Sequence, residues 1–128
     1  MQYEYFYGAQ AEQFSFYRIP KALFTEPNFR ELSTDAKVLY GILLDRMSLS
    51  LKNQWLDAQN KVYIIFTVEE IMDALNCANQ KATRLMVELE KQAGLIERKR
   101  QGLGRPNLIY VQAFAATIKS KRCEKGDS

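Results

Sequence analysis

A chain of 128 residues that is 47% hydrophobic and 26% charged has the balance of one globular domain with a tail, large enough for one core and too small for two. It holds no histidine and two cysteines, Cys77 and Cys123, which excludes a disulfide framework, a His/Cys metal centre and the commonest general base. The net charge of +3 conceals a division: residues 1–78 hold seven Lys/Arg against ten Asp/Glu, and residues 79–128 hold eleven against five, the polarity expected when one face meets phosphates.

The opening MQYEYFYGAQAEQ is neither a cationic leader nor an apolar signal core, and no run has the apolar length of a membrane span, so a cytoplasmic protein is expected. Residues 1–14 form an aromatic arm with Tyr3, Tyr5, Phe6 and Tyr7. Such an arm packs over its own core or against a second subunit, and the sequence leaves both open. Ser15–Ile19 suits a short strand, Pro20 stops it, and Lys21–Phe24 suits one helical turn before Pro27. Ser33 or Thr34 then caps a helix over Thr34–Met47, with Asp35 in its first turn and Ala36, Leu39, Tyr40, Leu43, Leu44 and Met47 at helical spacing.

Ser48–Asn60 reads as a polar connection with a turn around Trp55-Leu56, and VYIIF at Val62–Phe66 as a strand rich in β-branched and aromatic residues. Thr67 and Glu70 have capping-box spacing ahead of a short helix whose inward positions are Val68, Ile71, Met72 and Leu75. Asn76–Ala78 makes a turn. Asn79 caps a second helix reaching Gln92, with Ala82, Leu85, Met86 and Leu89 inward and Gly94 at its end. Then comes LIERKRQGLGRPNLIYV, Leu95–Val111: two apolar runs around a connector punctuated by Gly102, Gly104 and Pro106, which is a hairpin. The chain thus divides into an arm (1–14), a domain (15–115) and a basic tail or interdomain linker (116–128).

Helix, turn, helix and basic hairpin, in that order, predict an α+β, mainly α domain: a winged helix-turn-helix with a small antiparallel sheet. In that geometry the N-terminal part of the second helix enters the major groove of DNA. The side chains that helical spacing leaves facing water there are Gln80, Lys81, Thr83 and Arg84, with Glu88 a turn later, and the capping Asn79 joins them as a candidate DNA-binding residue. Gln and Arg suit bidentate contacts to adenine and guanine edges, and Lys or Thr reach guanine or phosphate. A merely solvated helix face explains this pattern as well. The hairpin adds Arg98, Lys99, Arg100 and Arg105; charged strand edges that discourage aggregation account for one or two such cations but poorly for four. No nucleophile with a neighbouring base, phosphate-cradling glycine loop or metal-ligand spacing is present, and first-turn capping accounts for Glu69 and Glu70. A non-enzyme without cofactor or metal is expected.

FYRIPKALF, LSTDAKVLYGILLDRMSLSLKNQW, VYIIFTVEEIMDALNC and GLIERKRQGLGRPNLIYV, in that order from about Phe16 to Phe114, together resemble the RepA_N family of plasmid replication initiators. The resemblance implies a winged-helix N-terminal domain that binds repeated double-stranded sites, or iterons, at a plasmid replication origin. It also implies self-association, as a dimer or dimer of dimers, and recruitment of host replication machinery through a C-terminal region absent from this chain. On that reading ATIKSKRCEKGDS begins the linker, the helix from Asn79 and the wing from Arg98 to Arg105 face DNA, and no membrane is involved. Two rivals stay open on the sequence: a winged-helix transcription regulator at a promoter operator, and a winged-helix protein-interaction module.

Overall fold

Pro20 and Pro27 bracket the first helical turn, α1 (Ala22–Thr25), and Pro27 itself opens a 3-10 turn through Phe29, a position where its missing N–H costs nothing. The structure, a computed structural model, describes residues 3–5, 7–8 and 15–112. The expected tail, and most of the arm, lie outside these. Tyr3 and Tyr5 of the arm are exposed, so these two rings do not pack over the core.

Ser33 caps α2 (Thr34–Lys52), accepting the Ala36 amide at 3.1 Å. Ala36, Leu39, Tyr40 and Leu43 are buried along its inner face, as their spacing predicts. The helix runs past the expected end at Met47; within the added turn the Ser48 hydroxyl donates to the Leu44 carbonyl at 3.2 Å and Ser50 is buried. The Tyr40 hydroxyl donates to the Gln112 carbonyl at 3.2 Å, and burial pushes its pKa up to about 12, so it stays neutral.

The expected strand over Ser15–Ile19 does not form. That segment lies against α2 at Gly41, where a Cβ would stand 2.9 Å from Ile19 Cγ1 and 3.1 Å from the Arg18 carbonyl oxygen; glycine is required here by proximity. Val62–Phe66 is likewise not a continuous strand. Ile64 exchanges both backbone hydrogen bonds with Ile109 at 2.9 Å, and Val62 bridges Leu56, but the chain then turns directly into the next helix cap. Ile64 and Phe66 are nonetheless buried.

The capping box forms as expected. Thr67 accepts from the Glu70 amide at 3.2 Å, Glu70 accepts from the Thr67 amide at 3.1 Å, and α3 follows over Val68–Leu75. Asn76 closes it in the left-handed conformation, at φ 52°. Next comes α4 (Asn79–Val87), continued by a π-helical turn over Glu88–Gln92 in which the Ala93 amide reaches the Glu88 carbonyl. Ala82, Leu85, Met86 and Leu89 are all buried. Gly94 (φ 66°) ends the run, and the Leu95 amide returns to the Leu89 carbonyl at 2.8 Å.

The sheet has two antiparallel strands, β1 (Ile96–Lys99) and β2 (Leu108–Val111), paired from Ile96 with Val111 to Lys99 with Leu108. Ile96 and Ile109 are buried, with β1 against the π turn and β2 against α2, and the connecting loop 100–107 stands out as a wing. On the far side the Tyr110 hydroxyl donates to Asp57 Oδ2 at 3.0 Å. The Lys61 amide also donates to Asp57, and is the main reason this carboxyl sits below its usual range. The fold is therefore mainly helical with a small antiparallel sheet, as expected.

Candidate nucleic-acid interface

Helices α3 and α4 meet through the three-residue turn Asn76–Ala78, and α4 buries one face while leaving Asn79, Gln80, Lys81, Thr83 and Arg84 exposed. Its N-cap is Ala78, not the expected Asn79, and no side chain caps it. Asn79 is already helical, and its Oδ1 accepts from Thr83 Oγ1 one turn on, at 3.4 Å. The first amides of α4 therefore stand beside this polar face at the positive end of the helix dipole, an arrangement suited to an anion.

Two of the expected cations are paired within the fold. Lys81 Nζ lies 2.7 Å from Asp35 Oδ2 in the first turn of α2. Arg98 is half-buried, its Nη2 donating to Glu90 Oε1 at 2.8 Å while its backbone amide donates to Glu90 Oε2 at 3.2 Å. Its place in the structure is therefore at the base of the wing, where it ties β1 to the π turn. Glu88 does not face water as helical spacing suggests. Its carboxylate accepts the Ser33 amide at 2.6 Å and the Ser33 hydroxyl at 3.0 Å, so it anchors the start of α2 to the end of α4.

Lys99, Arg100 and Arg105 are exposed. Lys99 ends β1, and Arg100 and Arg105 lie in the loop beyond it. A cleft of about 270 Å³ separates Arg105, Pro106 and Asn107 of the wing from the Thr67 end of α3. Charge thus collects on two thin features, the start of α4 and the wing. Between the two glycines of the wing stands an apolar residue that cation count does not single out, Leu103, whose side chain is fully exposed at the tip.

The hydrogen bond from Arg98 is the main reason the Glu90 carboxyl sits below its usual range. A depressed folded-state pKa contributes stability above the ordinary carboxylate pKa, and that contribution is lost as pH falls through the folded value. Glu90→Gln is therefore expected to cost stability at neutral pH and to flatten the acid limb of a thermal-denaturation series. An acid limb identical to the wild type's contradicts the assignment.

Comparison with known proteins bears on this geometry. A family model described as replication initiator protein A (RepA) N-terminus matches residues 15–124. A "41 kDa protein" of Lactobacillus helveticus is 32% identical over 92 residues, which are 72% of this chain and 26% of that protein; the chain spans about a quarter of its relative's length. A solved structure titled "N-Terminal domain of DNA binding protein" superposes with a TM-score of 0.71 at 36% identity, covering 99% of this chain and 98% of the other. One titled "Structure of Rep-DNA complex" gives 0.71 at 39%, covering 86% and 84%, and a "Structure of MDR initiator" gives 0.68 at 40%, covering 86% of each.

Proposed function

This chain belongs to the family of replication initiator protein A N-terminal domains, and from that premise we propose that it binds duplex DNA in replication initiation, recognising repeated sites at a plasmid origin. The observation that carries the reading is the pairing of an uncapped, polar α4 start with a separate cationic wing. Gln80 and Arg84 have the chemistry to read base edges, with Asn79 and Thr83 beside them. Lys99, Arg100 and Arg105 suit phosphates, which set affinity and register without reading sequence. Lys81 joins this contact only by exchanging Asp35 for phosphate, and Arg98 acts by holding the wing. The protein works by binding and not by catalysis. The proposal extends to self-association and to recruitment of host replication proteins through residues outside this domain.

The test is binding to origin repeats against a scrambled duplex across a salt series. Preference for the repeats that survives physiological salt supports the reading; equal, steeply salt-dependent binding to both sinks repeat recognition. Within that assay Arg84→Ala should erode the preference by about 1–3 kcal/mol, the range for one bidentate base contact. Arg100→Ala should weaken both duplexes alike. Indistinguishable effects of the two changes would refute this division of roles.

A further inference from the structure

The tip of the wing is a built turn with one side chain on it. The Arg105 amide donates to the Gly102 carbonyl at 3.2 Å, closing a four-residue turn with Leu103 and Gly104 at its centre. Gly104 has φ 78°, the value that the third residue of a type II turn requires. Below the turn, Gln101 Nε2 donates to the Pro106 carbonyl at 2.8 Å and braces the neck of the loop. Gly102 and Gly104 flank Leu103 with no side chain, and a Cβ at either would meet nothing within 4 Å. Leu103 itself is fully exposed. A turn needs no leucine at this position, and an apolar side chain wholly in water contributes no packing to its own fold.

We propose that Leu103 is an apolar wedge that enters the minor groove of duplex DNA beside the site read by α4, favouring easily unstacked base steps there. The inference rests on the DNA-binding reading. A tip one side chain wide fits a groove about 6 Å across, where leucine is among the residues that insert between base steps. Charge selects nucleic acid over a protein groove: the loop from Arg100 to Asn107 carries Arg100 and Arg105 and no acid. Pyrimidine–purine steps unstack at least cost, so the wedge gives preference at positions that no hydrogen bond reads.

The experiment uses the 128-residue chain and its Leu103→Ser and Leu103→Phe variants, on an origin-repeat duplex whose flanking step is TA or AA. Wild type is expected to favour the TA flank. Leu103→Ser should bind about tenfold more weakly, lose that preference and keep the wild-type salt slope, since no charge is removed. Leu103→Phe should retain both affinity and preference. Wild-type binding that Leu103→Ser leaves unchanged overturns the wedge and spares the DNA-binding reading. A changed salt slope in Leu103→Ser also overturns it, because the loop's cations then moved. A wild-type chain that binds no duplex at low salt defeats the parent reading, and the wedge with it.

Discussion

Replacing Lys99, Arg100 and Arg105 together by alanine is expected to weaken duplex binding by about 100-fold at physiological salt, on repeats and scrambled DNA alike. The reason is electrostatic. Each cation that neutralises a phosphate releases condensed counterions, so the slope of log K against log salt falls by about 0.9 per contact and by nearly 3 for the triple change. All three side chains are exposed, so the fold should not suffer. Arg98→Ala serves as the contrast. Its guanidinium is committed to Glu90 at 2.8 Å, so its loss should lower stability while leaving most of the salt slope in place. Fluorescence anisotropy over a salt series, with thermal denaturation alongside, separates the two. A triple variant with the wild-type slope refutes phosphate contact by the wing.

What the sequence made legible follows from local physics. Ala82, Leu85, Met86 and Leu89 repeat at the helical period because a helix with one buried face must, and all four are buried. The Thr67–Glu70 capping box is similarly local, closing over three residues. The two missing strands show where local signal stops. VYIIF has the composition of a strand, yet strand formation needs a partner edge, and only Ile64 finds one on β2. At Ser15–Ile19 the neighbour is a helix, made close by Gly41.

The same limit governs the interface. Exposure of Gln80, Thr83 and Arg84 could be read from periodicity, but engagement of Lys81 and Arg98 could not. Asp35 is 46 residues from Lys81 in sequence, and only the packing of α2 on α4 brings them together. Glu90 is eight residues from Arg98, across the sharp reversal at Gly94. Four wing cations in the sequence thus become three exposed ones and a brace.

The brace with the greatest expected effect on stability is Glu88. Its carboxylate accepts the Ser33 amide at 2.6 Å and the Ser33 hydroxyl at 3.0 Å, while that same hydroxyl accepts the Ala36 amide at 3.1 Å. One carboxylate thereby holds the N-cap of the central helix in place from the end of α4. Glu88→Ala leaves the partly buried Ser33 amide without its acceptor and frees the capping hydroxyl to rotate. Hydrogen bonds to a charged group contribute about 1.5–3 kcal/mol, so a loss of about 2–3 kcal/mol is expected. In a domain of this size that lowers Tm by about 10–15 °C. Glu88→Gln keeps an amide oxygen at the same reach and should lose about half as much. The anchor also fixes how α4 is presented, so Glu88→Ala should reduce preference for origin repeats below its melting range while the wing's salt slope persists. Thermal unfolding of the three proteins decides the first point: a Glu88→Ala variant as stable as wild type would mean that Ser33 is held by the rest of α2, and that α4 is oriented by its buried face alone.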